Sequence, residues 1–257
     1  MTQALESYRE KAAARGLPDS VAAWWTGLAR PSAELCPDGD GPVVGRFGGR
    51  PELPPDTAWP CGCHESHPLP FFASVDLAAL PDGCLDLDLP ADGRLLFFAD
   101  PFFSQQGAVV HVSAAGQHEA QAGSEDELPE LCAAFPMRFR PHWTLPQESA
   151  EIDGIDGGQW EKYVEQYDLE SAHGDIGAWH TWSGGLVLGG YTEVYPGFDS
   201  PAEAGRTLLA QVSTDEILRQ EEDYDGFHGM VWWTIPTEDL AARRFDRVSI
   251  GSVVDPP

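Results

Sequence analysis

Asparagine is absent from this 257-residue chain, and only two residues, Lys11 and Lys162, are lysines. Without asparagine there is no N-glycosylation acceptor and no catalytic triad that uses an asparagine. The chain also lacks a Gly-Lys pair, the glycine spacing of dinucleotide-binding folds and a Gly-x-Ser-x-Gly elbow. These absences exclude a Walker-type phosphate loop and a hydrolase built on a nucleophile elbow.

Basic residues are scarce as a class, because 15 lysines and arginines stand against 42 acidic residues, a net charge of −27. A field of this sign repels phosphate backbones and anionic lipid, and it attracts basic molecules over long range. We therefore expect no nucleic-acid partner and no membrane partner, and a basic protein is a candidate partner. Solubility is the alternative explanation of the charge.

Cysteines are few, odd in number and irregularly spaced: Cys36, Cys61, Cys63, Cys84 and Cys132. This pattern is unsuited to a disulfide framework and indicates a reducing compartment. The N-terminus has no basic start followed by an apolar stretch, and no run approaches the ~20 apolar residues of a transmembrane helix. The expected location is the cytoplasm.

Glycine and proline are abundant, at 27 and 22 residues, beside 42% hydrophobic residues. This composition indicates short elements and many turns, as in a sheet-rich α+β protein. Apolar residues at helical spacing predict two N-terminal helices, over 2–15 and 19–28, which end near Gly16-Leu17-Pro18 and Pro31. We expect Trp24 and Trp25, on the second helix, to belong to the core.

Two segments of the chain resemble each other. Each has a Gly-Gly pair and two buried strands: Gly48-Gly49 with 71–77 and 93–100, and Gly189-Gly190 with 208–214 and 229–236. The distance from the first glycine to an alanine in the first strand is 25 residues in one segment and 21 in the other, and the next interval is 20 or 19. The pattern predicts an internally duplicated β-rich unit in a predominantly antiparallel sheet.

The remaining segments complete one predicted domain, 1–257, with N-terminal helices in 1–30, repeat units at 43–100 and 187–250, and an insert at 101–183. We expect a strand pair near 108–113 and 137–145, and an amphipathic helix from Trp160 to Tyr167. Short helical pieces are predicted at 77–80 and 215–220. A short helix after Pro236 and a closing strand from Arg247 end the chain.

A family resemblance rests on the string Phe47-Gly-Gly-Arg-Pro-Glu-Leu-Pro, followed by Trp59-Pro60 and by Pro68-Leu-Pro-Phe-Phe-Ala-Ser-Val-Asp-Leu. With Leu188-Gly-Gly-Tyr, Leu208-Leu-Ala-Gln-Val-Ser-Thr-Asp and Arg244-Phe-Asp-Arg-Val, this resembles the YwqG-like bacterial proteins over about residues 43–250. The resemblance implies a single α+β domain with an internal duplication and implies no reaction, because that family has no agreed biochemical role. The chain departs from the pattern at Ser74, where relatives usually carry glutamine, and at 226–229.

Soft metal ligands are concentrated in Cys61-Gly-Cys63-His64-Glu-Ser-His67, and Cys36 could add a fifth. Zinc prefers four nitrogen or sulfur ligands, but structural zinc sites usually draw them from two separated knuckles. The histidine pair is three residues apart, one too few for the helical pair of zinc proteases. We therefore expect no cofactor, with zinc at Cys61, Cys63, His64 and His67 as the alternative to a loop of reduced cysteines.

The candidate catalytic residues are His173, Asp175 and His180, beside tryptophans and Ser183. A histidine near a carboxylate and a hydroxyl suits acid–base chemistry, and two histidines with a carboxylate can hold a metal. The alternative is a loop whose tryptophans fill gaps in the core.

The candidate ligand-binding residues surround the glycine pairs: Arg46, Gly48, Gly49, Arg50, Gly189, Gly190 and Tyr191. Glycine lets the backbone approach a ligand closely and adopt a positive φ. These residues predict a binding rim where the two units meet, with an anionic ligand on the arginines; tight turns and an internal ion pair are the alternatives. Because no motif commits the chain to a reaction, a binding or interaction protein is favoured over a hydrolase or a metal-assisted transferase.

Overall fold

The computed structural model describes residues 2–55, 57–62, 67–100, 106–114, 132–147, 149, 152, 157–167, 169, 185–193, 205–213 and 228–255. Its helices are α1 (Thr2–Ala14), α2 (Asp19–Gly27), α3 (Gly157–Tyr167) and α4 (Thr237–Ala241), with 3-10 turns at Leu77–Ala79 and Phe245–Arg247. Its strands are β1 (Arg30–Cys36), β2 (Val43–Phe47), β3 (Phe71–Asp76), β4 (Arg94–Asp100), β5 (Gln106–Val112), β6 (Phe135–Thr144), β7 (Leu186–Leu188), β8 (Arg206–Ser213), β9 (His228–Pro236) and β10 (Ser249–Asp255).

The strands form one sheet in the order β10-β9-β8-β7-β1-β6-β2-β3-β4-β5, and every pairing is antiparallel. The sheet curves until its two edge strands approach each other. The contact of Ile250 on β10 with Gly107 on β5 shows this approach. The predicted α+β class, a predominantly antiparallel sheet with two N-terminal helices, is confirmed. The sheet is close to a closed barrel.

The strand order is symmetric about β1 and β6, with β2 to β5 on one side and β7 to β10 on the other. We call β2–β5 the first half and β7–β10 the second half. β1 precedes β2 in the chain but pairs with β7, whereas β6 precedes β7 but pairs with β2. The halves are therefore interlocked through their central strands.

The two halves also agree in local geometry. The ladder β3–β4 shifts register between Phe71 and Ala73, and the ladder β8–β9 shifts between Leu208 and Ala210. The carbonyl of the extra residue at each shift accepts a hydrogen bond from the first glycine of the preceding turn. Gly48 N–H donates to Phe72 O at 2.7 Å, and Gly189 N–H donates to Leu209 O at 3.1 Å. The same bulge and the same tie therefore recur at corresponding places.

Continuous apolar runs such as those of β3 and β4 are buried on both faces of the sheet. One face contributes to the main core, which includes Phe47, Phe72, Phe97 and Trp233. On the other face of the first half, the loop before β3 covers a smaller cluster. Its Leu53, Trp59 and Leu69 pack on Phe71, Leu96 and Phe98 of β3 and β4. Burial on both sides explains why these segments lack the polar alternation of a solvent-facing sheet.

The three helices α1, α2 and α3 pack together with the end of β6 into a helical layer. Its buried members include Tyr8, Trp25, Trp143 and Val164. Trp25 belongs to the core, as predicted, but Trp24 is only partly buried. Among the described residues, no helix has both the length and the apolar character needed to cross a bilayer.

Two predictions about strands were wrong or incomplete. The strands predicted at 108–113 and 137–145 exist, but they do not pair: β5 pairs with β4 at the sheet edge, and β6 pairs with β1 and β2 at its centre. Sequence proximity favoured a local hairpin, whereas both edges of β6 are occupied by strands from distant parts of the chain. Strand β1 was not predicted, because Pro31 and the polar Ser32 and Glu34 interrupt its apolar pattern. The helical piece expected at 215–220 lies outside the described residues.

Candidate functional site

The two Gly-Gly turns lie at opposite ends of the central strand β6. Gly48 follows Phe47, which pairs with Phe135 at the start of β6, whereas a side chain on Gly190 would overlap Thr144 at its end. A strand of ten residues spans about 30 Å. The two turns are therefore too far apart to form the single rim that the sequence predicted. Each turn has its own surroundings.

All four turn glycines have positive φ, between 65° and 78°, a conformation that other residues adopt only with strain. The first turn is crowded by backbone as well as by a side chain, since a Cβ on Gly48 would lie 2.5 Å from Cys132 Sγ, 2.7 Å from Cys132 O and 2.9 Å from Ala133 O. The second turn is crowded by side chains, since a Cβ on Gly189 would lie 3.3 Å from Leu87 Cδ1. The need for glycine in both turns thus follows from the fold itself.

The polar neighbours of the turns have partners within the protein. The Arg46 guanidinium lies 6.0 Å from the centroid of the Phe71 ring. The Tyr191 hydroxyl donates to Leu28 O at 2.9 Å, and the Arg30 guanidinium lies 4.9 Å from the Tyr191 ring centroid. Arg50 is partly buried. Ligand binding by Arg46, Arg50 and Tyr191 stays a prediction, and the observed contacts anchor the turns.

The cysteine–histidine segment is described at its two ends. Gly62 N–H donates to His67 O at 2.9 Å, and Cys61 forms a β-bridge with Pro68, so the ends lie side by side. Cys61 is exposed, and its thiol donates to Trp59 O at 3.4 Å. Cys63 and His64 lie outside the described residues, and within the described part of the chain no three potential ligands form a group. The zinc site stays a prediction.

The other cysteines are poorly suited to metal binding. Cys36 is buried within β1, and Cys132 is buried beside the first turn. Burial raises the pKa of the Cys84 thiol, which disfavours the thiolate that a metal requires. The candidate catalytic residues His173, Asp175 and His180 lie outside the described residues, so their role also stays a prediction.

A surface segment joins the two halves, and we call residues 81–92 the bridging segment. It connects β3 to β4 in the first half, yet its Leu85 and Leu87 side chains lie against Gly189 in the second half. Leucine and aspartate alternate along Leu85-Asp86-Leu87-Asp88-Leu89, and the three leucines pack on the main core. The aspartates consequently face outward.

Four aspartates occupy the bridging segment, at positions 82, 86, 88 and 92. Two make ion pairs with arginines from elsewhere: Asp86 Oδ2 lies 3.2 Å from Arg30 Nε, and Asp88 Oδ1 lies 2.7 Å from Arg243 Nη2. Asp82 and Asp92 are exposed. Sequence reasoning missed this segment as a site, although the Leu-Asp alternation signals an anchored strip with its carboxylates on one side.

A second polar cluster lies on the central strands, on the face opposite Ala33 and Leu35. The Glu34 carboxylate is buried and accepts from Arg140 Nη1 at 3.1 Å, while Arg140 Nη2 lies 3.1 Å from Asp38 Oδ1. Desolvation lowers the pKa of the Arg140 guanidinium, but its interactions with Glu34, Cys36 and Asp38 together raise that pKa above its ordinary value. The pair stands directly across β1 and β6 and fixes their register.

Ser32 and His142 form the neighbouring cross-strand pair, with 2.7 Å between Ser32 Oγ and His142 Nδ1. A serine bonded to a histidine is the geometry of an activated nucleophile. Ser32, however, is only 1% exposed, so its hydroxyl offers no surface to a substrate. Sequence reasoning missed all these residues because their partners are more than 100 positions apart.

No curated protein matches this chain. A family model does, over residues 45–251, a range that begins in β2 and ends in β10 and so includes both halves, both Gly-Gly turns and the bridging segment. The chain belongs to the family described as a domain of unknown function, DUF1963.

Proposed function

We propose that the protein is a non-catalytic binding module that docks a basic protein partner on the bridging segment. The observation that carries the proposal is the display of four aspartates along residues 81–92, over the junction of the two halves. Lysine and arginine side chains of a partner would find carboxylates on a single short strip. The proposed binding surface is thus the junction of the two halves.

The leucines of the bridging segment give this surface its fixed shape. Because Leu85, Leu87 and Leu89 pack on the core, the intervening aspartates are held in place before any partner arrives. A preorganised surface loses less conformational entropy on binding than a flexible one. Arg30 and Arg243 neutralise only part of the segment's charge.

The charge of the whole chain supports the same partner class. At a net charge of −27, long-range attraction accelerates encounter with a basic protein and suppresses encounter with acidic ones. The attraction extends over about 10 Å at 0.1 M salt and shortens as salt rises. Binding is therefore expected to weaken steeply between low and moderate ionic strength.

A cytoplasmic location is part of the proposal. Among the described residues, four cysteines are free thiols: Cys36, Cys61, Cys84 and Cys132. Free thiols support a reducing, cytoplasmic setting.

The proposal also includes an internal duplication of the β-rich unit, which the matched strand order, bulges and glycine hydrogen bonds support. The Gly-Gly and Trp-Pro strings support a relationship to the YwqG-like bacterial proteins.

The test compares two variants that change the net charge equally. One replaces the four aspartates of the bridging segment: Asp82→Asn, Asp86→Asn, Asp88→Asn and Asp92→Asn. The matched control replaces four exposed acids elsewhere: Glu6→Gln, Glu10→Gln, Asp19→Asn and Asp246→Asn. Each protein is immobilised and exposed to the same host extract at low salt, and the retained proteins are eluted with salt and quantified.

Support requires one basic protein, retained in a fixed ratio by the wild type and the control and lost with the bridging-segment variant. The complex is then reconstituted from pure components and titrated at two salt concentrations. Equal weakening by both variants would reduce the interaction to net charge. Equal retention by all three proteins would place the binding surface outside the bridging segment, and absence of any stoichiometric partner at low salt would refute the proposal. Thermal melting of each variant checks that it is folded.

A further inference from the structure

The turn that ends α4 holds an arginine in a strained backbone conformation. Among the described residues, Arg243 is the only non-glycine residue with a positive φ, at 59°, and it directly follows the helix cap at Ala242. Two hydrogen bonds define the turn as a Schellman motif: Arg243 N–H donates to Leu240 O and Arg244 N–H donates to Asp239 O, both at 2.9 Å. Glycine is the usual residue at this position, because a Cβ makes the left-handed conformation costly.

The side chain of Arg243 extends to the bridging segment. Its Nη2 lies 2.7 Å from Asp88 Oδ1, and the two side chains are 38% and 67% exposed. In the described part of the chain, the polar contacts of this guanidinium are with Asp88 alone. Arg30, which also pairs with the bridging segment, is held both by Asp86 and by the ring of Tyr191. Arg243 is therefore the more easily displaced of the two arginines.

Stability does not explain an arginine at position 243. An exposed ion pair contributes little to stability, because water and salt screen it. The left-handed backbone of a residue with a Cβ costs at least as much as such a pair returns. Glycine at this position would remove the strain and lose only the exposed pair. A strained residue that the fold does not require points to a role in function.

We infer that Arg243 is an internal competitor for the bridging segment: it holds Asp88 until a cationic side chain of the partner replaces it. The inference rests on the proposed function, because it concerns the regulation of the same surface. The exchange substitutes one exposed ion pair for another, so a molecule with a single cation gains little from it. A partner with several cations also reaches the exposed Asp82 and Asp92, and this added attraction drives the exchange. Arg243 thereby discriminates against molecules that carry one positive charge.

The experiment measures binding of a tetra-arginine peptide to the full chain by calorimetric titration at low salt. Arg243→Gly is expected to bind the peptide about fivefold more tightly than the wild type, because the competing guanidinium is gone. The matched control is Arg138→Gln, which removes one exposed positive charge from β6 and changes the net charge equally. The control is expected to change binding by less than about twofold, since only the general field of the protein changes.

Asp88→Asn identifies the carboxylate at which the competition takes place. In the Asp88→Asn background, Arg243→Gly is expected to add no more to peptide binding than Arg138→Gln does, because no carboxylate is released. An equal gain with and without the Asp88 carboxylate would overturn the inference. Peptide binding by Arg243→Gly that is no tighter than that of Arg138→Gln would overturn it as well.

Urea denaturation, which needs no ligand, tests the premise about strain. Arg243→Gly is expected to unfold at a urea midpoint equal to or above that of the wild type. Arg243→Ala is expected to have a lower midpoint, because alanine keeps the strain and loses the ion pair. A midpoint of Arg243→Gly clearly below that of the wild type would make the ion pair a structural contact and would overturn the inference.

The inference and the proposed function fail in distinguishable ways. Absence of peptide binding by every protein, with the wild type and Arg243→Gly included, would refute the proposed docking surface and the competitor together. Binding that the wild type shows and the bridging-segment variant loses, without any gain in Arg243→Gly, would refute the competitor alone.

Discussion

The two halves of the sheet share the same arrangement of strands, but different contacts hold the loop that follows each Gly-Gly turn. In the second half, Gln211 on β8 is buried, and its amide donates to Tyr191 O at 3.1 Å and accepts from Glu193 N–H at 2.8 Å. The corresponding position in the first half, one residue after the matched alanine, is Ser74, whose short side chain cannot span such a gap. There, Glu52 instead pairs at the surface with Arg94.

The difference shows that one fold can hold equivalent loops by buried hydrogen bonds or by apolar cover. The indole N–H of Trp232 adds a further bond to Glu193 O at 2.9 Å in the second half. In the first half, Leu53, Trp59 and Leu69 cover the sheet, and Trp59 donates back to Leu69 O at 2.9 Å. Buried polar ties are costly to break, whereas surface ion pairs contribute little.

The largest expected effect tests the glycine turns. Gly48→Ala should lower the free energy of unfolding by about 3 kcal/mol, because positive φ strains the new residue and its Cβ meets backbone carbonyls that cannot move. Gly189→Ala should cost less, since Leu87 is a side chain and can shift. Gly205→Ala isolates the φ cost alone, at about 1–2 kcal/mol, because nothing lies within 4 Å of its Cβ position.

Urea denaturation of the three glycine variants provides the measurement. The expected order of destabilisation is Gly48→Ala, then Gly189→Ala, then Gly205→Ala. If Gly48→Ala proved no worse than Gly205→Ala, the crowding at the first turn would have no energetic weight.

The second prediction concerns the buried amide. Gln211→Leu should destabilise the protein by about 2–3 kcal/mol, because Tyr191 O and Glu193 N–H lose the amide that satisfies them. Ser74→Ala, its counterpart in the first half, should cost about 1 kcal/mol or less. Chemical denaturation of both variants gives the comparison. Equal losses of stability would show that Ser74 and Gln211 contribute equally in their two halves.

How much of this comparison sequence alone could predict depends on the range of the interactions. The glycine pairs, β3, β4, β8 and β9 are visible because their signals are local: an apolar run or a turn dipeptide. The central strand β1 was missed because Pro31, Ser32 and Glu34 interrupt its apolar pattern. The pair Glu34–Arg140 was missed because its two residues lie 106 positions apart. The bridging segment was not singled out because its contact with Gly189 arises only when the two halves come together.

The third prediction concerns the helical layer, which packs on β6 at the centre of the sheet. A change in this layer should therefore affect both halves alike. Burial raises the pKa of Tyr8 to about 12, from about 10 in an unfolded chain. The unfolded state therefore ionises first, so the stability is complete below pH 10 and is lost as pH rises toward 12. The loss is expected to be about 2 kcal/mol at most, allowing for solvent screening.

Tyr8→Phe cannot ionise, so the alkaline loss of stability should shrink by that amount relative to the wild type. Urea midpoints measured from pH 8 to 12 for both proteins give the difference. Parallel curves would mean that Tyr8 does not titrate between these limits, and that the aromatic packing of the helical layer does not desolvate its hydroxyl.

The smallest expected effect completes the contrast between the halves. Glu52→Gln removes the surface ion pair with Arg94, and both side chains are substantially exposed, at 47% and 31%. Exposed pairs gain little Coulomb energy and are screened by salt, so the expected cost is about 0.5 kcal/mol and disappears at high salt. Urea midpoints at low and high salt measure this cost.

A salt-independent cost as large as that of Gln211→Leu would mean that Glu52 contributes as much to stability as Gln211, because salt would then not screen its ion pair with Arg94. A small, screened cost would instead assign the first-half loop to its apolar cover, since Leu53 and Trp59 remain in place when the charge is removed.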